Sequence, residues 1–328
     1  MALVLTEEQI MLKDAARDFL RERAPVSHLR ELRDTDNKDG FSRELWSEIA
    51  DMGWAAILVP EQHGGLGYGH VGMGIVLEEC GRTLTPSPLL STAMVCTAVM
   101  VKGGSEAQCA TILPAVASGE SLLALACDES TQQQSGEFAT EAVQSGENFV
   151  LSVHKHSVAD CNVADTFIII ANTGDGITLF LLPANTKGLY ISPYRVLDTH
   201  MAANLVLDNV ELGQENLLGK WNDGQALLDY ALDVGRIGAS AELLGIAQEA
   251  FERTLGYLKE RKQFGVIIGS FQALQHRAAE LFGEIEMCKS LVIKSLQSLD
   301  EEDGEITELA SLCKAKLSAT AHLATTEA

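Results

Sequence analysis

Apolar positions along the chain change their period twice. At the N-terminal end they recur at helical spacing, and side chains that can cap helices precede them. Thr6 and Gln9 form a capping box before Ile10, Ala15 and Phe19 on a charged helix. Ser42 opens a helix whose Leu45, Trp46 and Ile49 point inward and whose stop is Gly53. Pro86 and Pro88 precede an apolar helix over residues 89–101, and Ser105 with Gln108 begins another that continues to Gly119 despite Pro114. After Gly119 the runs become short and β-prone, at residues 122–127, 149–153, 166–171, 177–182, 188–191 and 205–210. Polar turns rich in Gly and Asn separate them, the spacing of an antiparallel barrel or sandwich. Helix returns over about 223–260, again over 270–299, and once more from Ile306 after an acidic loop at 300–305. The small residues Gly235, Gly238, Ala239, Ala241 and Gly245 on the first of these helices would admit a neighbouring helix closely. The chain therefore reads as an α+β fold with an N-terminal helical domain (1–119), a central antiparallel β domain (120–220) and a C-terminal helical domain (221–328).

Charge narrows the function. Acidic residues outnumber basic ones by 46 to 24, a formal net charge of −22, which disfavours nucleic acid as a partner. An anionic ligand would have to meet a local basic patch. The N-terminus lacks the basic and apolar architecture of a signal peptide, and the run at 89–101 is too short to span a bilayer, so a cytoplasmic protein is expected. The seven cysteines form no Cys-x-x-Cys pair and read as reduced core thiols. His154, His156 and Cys161 lack a further strong ligand, so no metal site is expected. Gly67, Gly69 and Gly72 satisfy Gly-x-Gly-x-x-Gly. However, residues 60–66 separate them from the preceding apolar run, and no acidic residue lies about 20 positions on, so a Rossmann site is not expected.

The stretch 261–280 carries the sharpest chemistry. It is a corner between two helices, with Gly265 and Gly269 for flexibility, Ser270 as the expected N-cap, and Phe271, Leu274, Ala278, Leu281 and Ile285 as an expected buried face. Arg261, Gln263, Gln272 and Gln275 cluster around it. A guanidinium and a helix N-terminus both favour a phosphate, and the alternative is a solvated interhelical turn. On the preceding helix, Asp233 and Arg236 lie three apart, the spacing of an intrahelical ion pair.

The corner Arg-Lys-Gln-Phe-Gly followed by Phe-Gln-Ala-Leu-Gln-His resembles the signature of the acyl-CoA dehydrogenase family, and the likeness extends over the order of helices, β unit and helical bundle. The resemblance implies FAD, with Arg261 on its pyrophosphate and Gln263, Phe264, Ile268, Phe271 and Gln272 near the nucleotide, reached across a subunit interface. It places Asp233 by the coenzyme A portion and Arg236 beside the catalytic base. Some members carry that base immediately before this arginine, where Gly235 stands. In the commonest arrangement the Glu lies past Ala328, as does a Gly-Gly-x-Gly segment. No base is named here, and the 328 residues alone are not expected to turn over. The apolar stripe of the last helix, running to Leu323 without a Gly or Asn stop, reads as a helix cut short.

Two departures lie in the β unit. The family's Thr-Glu-Pro-x-x-Gly-Ser-Asp loop is replaced by Asp128-Glu129-Ser130-Thr131 and three glutamines. The aromatic-Ile-Thr/Ser contact with the flavin ring falls on Ser157-Val158-Ala159 if Lys155 matches the usual lysine. Both resemble the small-subunit type of heteromeric members such as pimeloyl-CoA dehydrogenase. The implied activity is α,β-dehydrogenation of an acyl-CoA thioester. The implied partners are the acyl-CoA, an electron-transfer flavoprotein or similar acceptor, and either further copies of this chain or a second dehydrogenase-like subunit. A catalytically incomplete partner subunit and an acyl-CoA oxidase-type relative are the alternatives.

Overall fold

The computed structural model describes residues 3–130, 141–146 and 148–327. Its helices are α1 (Glu7–Arg23), α2 (Val26–Asp34), α3 (Arg43–Asp51), α4 (Gly69–Thr83), α5 (Thr97–Gly103) and α6 (Glu106–Ala117), followed after the sheet by α7 (Gln225–Glu260), α8 (Gln272–Glu301) and α9 (Ile306–Glu327). The strands are β1 (Leu123–Ala126), β2 (Glu141–Ser145), β3 (Asn148–Ala159), β4 (Thr166–Asn172), β5 (Ile177–Pro183), β6 (Leu189–Arg195), β7 (Met201–Leu212) and β8 (Leu217–Leu218), with β9 (Lys262–Gln263) and β10 (Val266–Ile267) forming a separate hairpin. Helices before and after a central sheet make the α+β architecture expected. By packing, the chain divides into two compact units. One comprises residues 1–26, 69–85 and 236–328, and the other residues 27–68 and 86–235.

In the second unit the sheet runs β6-β7-β3-β2-β4-β5-β8, with β1 also on β4. It is not wholly antiparallel. β1 pairs with β4 in parallel, Leu123 opposite Thr166, and β2 makes one parallel bridge to β4. A long connection from β1 to β4 permits that direction, whereas the short connections from β4 to β5 and from β6 to β7 enforce the antiparallel one. The pattern of short apolar runs did not reveal β2 and β8, because β2 is polar and β8 has only two residues. Phe149, Phe180 and Trp221 close one end of the core, with ring centroids 4.8–6.3 Å apart.

Residues 89–96 form a π-helical segment leading into α5. Thr92, fully buried there, donates to the Leu123 carbonyl (2.8 Å) and accepts from its N–H (3.0 Å), tying the segment to β1. The capping boxes at Thr6 and Ser105 are present, and Ser42 caps α3. In α1 the buried positions are Ala16 and Leu20, whereas Ile10 and Ala15 are exposed, so the apolar stripe lies one residue later than its spacing suggested. The glycine-rich stretch follows a 3-10 turn (Trp54–Ala56), and its loop folds back so that the Leu66, Gly67 and Tyr68 N–H groups donate to the carbonyls of Ala56, Val59 and Ile57. No strand precedes it among the described residues.

In the first unit α4 and α7 meet backbone to backbone. A Cβ on Gly81 would lie 2.1 Å from the Glu242 carbonyl oxygen, and one on Gly245 would lie 1.8 Å from that of Glu78, so only glycine fits at either place. The close approach inferred from small residues on α7 thus holds at Gly245, answered by a glycine on the partner helix. Around this contact Arg17 grips Glu79, Lys13 grips Glu78, and Arg82 grips Glu252, binding α1, α4 and α7 together. Among the described residues no helix is long and apolar enough to cross a membrane.

Candidate functional site

The corner between α7 and α8 is a hairpin, more ordered than its two glycines suggested. Phe264 (φ 56°) and Gly265 (φ 79°) both take left-handed backbone between β9 and β10, the arrangement of a type I′ turn. Gly269 serves a close approach, since a Cβ there would lie 2.7 Å from the Leu258 carbonyl oxygen. Ser270 does not cap α8. The helix begins two residues later than expected, Phe271 occupies the N-cap position without a side-chain bond, and the Ser270 hydroxyl donates to the Ile267 carbonyl (2.7 Å). The expected buried face begins only at Leu281 and Ile285. Leu274 and Ala278 are half-buried and Phe271 is exposed.

Every residue proposed from sequence for the nucleotide lies on this projecting corner. Arg261 is exposed, and its guanidinium has no partner among the described residues, although its N–H and carbonyl close the hairpin onto Tyr257 and Ile268. Among the described residues the Gln263 side chain donates to the neighbouring Lys262 carbonyl, and the Gln275 side chain donates to the Gly269 carbonyl. Phe264 is 92% exposed and meets Phe271 edge-on at 6.4 Å, while Ile268 is half-buried and Gln272 is exposed. A permanent cation, amide donors, a helix start and two phenyl rings on one corner suit a ligand carrying both phosphate and aromatic parts. FAD has both, so the donor set fits it.

Asp233 and Arg236 stand three residues apart on α7, the first buried (2% exposed) and the second half-buried. Between them, a Cβ on Gly235 would meet only a Val95 methyl, at 3.5 Å. Packing therefore does not demand glycine at the position where some dehydrogenases carry their base.

The β unit contains two arrangements that spacing did not reveal. Lys155, fully buried, donates to Glu129 (2.6 Å) and to the Cys127 carbonyl (3.1 Å). Alternation along β3 carried the signal, because Lys155 continues the inward series Phe149, Leu151 and Val153. Burial lowers the Lys155 ammonium from its ordinary value, opposed by Glu129. The other arrangement follows a register shift between Lys155 and Val158 on β3. There Ser157 adopts φ 53°, donates its N–H to Asn204 (3.1 Å) and shares a hydroxyl bond with Tyr194 (2.7 Å). Thr131 and the glutamines of the altered loop lie outside the described residues.

At the end of β3, the Ser91 hydroxyl donates to Asp160, which has φ 53°. Burial raises this carboxyl from its ordinary value, against the Ser91 bond and nearby His200. Folded Asp160 therefore keeps its proton where the unfolded chain has already lost it. Its contribution to stability is present at acid pH and is lost as pH rises from about 3.9 through the folded value. Asp160→Asn, which suits left-handed backbone, is expected to raise the unfolding temperature at pH 7, with the advantage fading as pH falls below the carboxylate range. Thermal unfolding at several pH values checks this, and an equal gain at every pH would refute the buried-carboxylate cause.

Two descriptions match the chain: "Acyl-CoA dehydrogenase, N-terminal domain" over residues 6–120 and "Acyl-CoA dehydrogenase, C-terminal domain" over residues 222–328. A probable acyl-CoA dehydrogenase, YngJ of Bacillus subtilis, is 32% identical over 305 residues, covering 89% of this chain and 79% of its own. The chain belongs to the acyl-CoA dehydrogenase family. The CarC subunit of the caffeyl-CoA reductase-Etf complex of Acetobacterium woodii is 27% identical over 95% of this chain and 84% of its own. Butyryl-CoA dehydrogenase from Megasphaera elsdenii superposes with a TM-score of 0.88 at 26% identity, covering 100% of this chain and 88% of that one.

In the altered β-unit loop, Glu129 is the residue that holds Lys155. All seven cysteines are free, and burial pushes the Cys127 and Cys161 thiols up to about 11 and about 12, so both stay protonated at neutral pH.

Proposed function

We propose that this protein is an FAD-dependent acyl-CoA dehydrogenase that oxidises the α,β bond of an acyl-CoA thioester. The observation that carries the site is the exposed Arg261 guanidinium, unpartnered among the described residues, on a corner whose sequence matches the family signature. Arg261 holds the FAD pyrophosphate. Gln263, Phe264, Ile268, Phe271 and Gln272 surround the nucleotide, with the remainder of the cofactor on another subunit. Asp233 faces the coenzyme A portion, and Arg236 orients the region where the α-proton is removed. Bound FAD supplies the hydride acceptor. The protein's part is to align the thioester and to stabilise developing enolate charge. An electron-transfer flavoprotein or a similar acceptor in the cytoplasm would take the electrons from bound FAD. Residues 1–119, 120–220 and 221–328 form the three domains of this arrangement.

A partner-subunit role is the second reading. It is favoured by Ser157-Val158-Ala159, which has neither the aromatic residue nor the hydroxyl at the positions where the family meets the flavin ring. Bound flavin per chain, followed by anaerobic titration with a panel of acyl-CoAs, separates the two. The dehydrogenase reading expects the protein purified alone to retain FAD at full occupancy, and bleaching by an acyl-CoA would reveal a base within the 328 residues. FAD bound only after co-expression with a second dehydrogenase-like subunit would favour the partner, and a protein that holds no FAD in either preparation would overturn both.

A further inference from the structure

Tyr194 and Ser157 lie on one face of the sheet, on strands separated by β7. Tyr194 on β6 stands opposite Ala202 of β7, whose methyl is the small side chain beside the ring on this face. Ser157 occupies the register shift, in backbone that costs energy for a residue other than glycine, and bulges of this kind often re-aim a side chain beside an active site. Asn204, two positions from Ala202 and on the same face, holds the Ser157 N–H (3.1 Å). The Ser157 hydroxyl is thereby aimed at the Tyr194 hydroxyl, 2.7 Å away. Two hydroxyls thus pin a half-buried phenol ring beside the segment whose own aromatic residue is missing.

We infer that Tyr194 supplies, from β6, the aromatic face against the flavin ring, and that Ser157 acts as a positioning residue by fixing the orientation of that ring. This rests on the FAD reading above. It predicts that the β unit owns a working flavin surface, built from a neighbouring strand in place of β3. The ring provides a flat apolar contact, and the shared hydroxyl bond restricts its rotation. An electron-rich phenol in van der Waals contact with a flavin also quenches its fluorescence, which gives a readout independent of turnover.

The test uses the protein loaded with FAD. Tyr194→Ala is expected to brighten the bound flavin several-fold, to shift its visible spectrum, and to weaken FAD retention roughly two- to tenfold, the equivalent of one aromatic contact. Tyr194→Trp should restore quenching. Ser157→Ala should brighten the flavin less than Tyr194→Ala, because the ring remains but is free to turn. Circular dichroism melting of each variant separates a lost contact from a lost fold. If the wild-type protein retains FAD and Tyr194→Ala leaves its fluorescence and spectrum unchanged in a folded protein, the assignment of Tyr194 is overturned while the FAD reading stands. If the wild-type protein retains no FAD, the FAD reading itself fails.

Discussion

Replacing Glu129 by alanine is expected to lower the stability of the protein by about 3–5 kcal/mol, because it leaves the Lys155 ammonium buried without its counter-charge. The pair is nearly inaccessible to water, with 0% of the lysine side chain and 7% of the glutamate side chain exposed. Part of the remaining solvation comes from the Cys127 carbonyl and from the nearby Asp128 charge, neither of which replaces the direct bond to Glu129. The loss should depend on pH in a definite direction. Burial already lowers the lysine, and removing Glu129 lowers it further. The folded variant then sheds a proton at a pH where its unfolded chain keeps one. Its stability therefore rises with pH through that window, up to the ordinary lysine value of about 10.4, and the deficit against the wild type shrinks. Denaturant unfolding at pH 7 and pH 9.5 measures both effects. The double variant Glu129→Ala, Lys155→Met should recover much of the loss, since an apolar replacement of a buried pair is often neutral. A single variant within 1 kcal/mol of wild type at pH 7 would show that water reaches the lysine.

Arg261→Ala is expected to weaken FAD binding by about 1.5–3 kcal/mol, the worth of one charge-assisted hydrogen bond to a phosphate, or roughly 10- to 150-fold in affinity. The fold should not change. Arg261 is exposed, its side chain meets no other group among the described residues, and its backbone bonds to Tyr257 and Ile268 survive the substitution. Arg261→Lys should fall between the two, because an ammonium keeps the charge but cannot present the planar pair of donors that a phosphate accepts. Equilibrium dialysis of FAD, with thermal unfolding as a control, reads both quantities. Undiminished FAD retention in Arg261→Ala would remove the corner from the cofactor site.

Periodicity and caps alone were enough to read the order of helices, sheet and helices. The capping boxes at Thr6 and Ser105 and the cap at Ser42 are local hydrogen bonds within four residues, so the chain displays them without help from the rest of the fold. The corner at 261–280 was legible for a related reason. Its chemistry belongs to residues that touch little else, and Arg261, Gln263 and Phe264 stand near one another because they are neighbours in sequence.

Where distant segments meet, sequence was a poorer guide. The glutamates of α4, Glu78 and Glu79, are both buried, because α1 brings Lys13 and Arg17 over them, and no local pattern announces that. Asp300 looks like part of an acidic surface loop. In the fold it accepts the Val71 N–H at the start of α4 (3.1 Å) and pairs with His70 (2.9 Å), more than 200 residues away. Ser157 reads as a loss until the sheet brings Tyr194 to it across β7. Period and local propensity therefore determined which elements form and in what order, because those depend on contacts within a few residues. The tertiary structure decided which charges are buried, which helix ends are capped from afar and which side chains share a site, because the cost of burying a polar group is met only by the partner that folding brings to it.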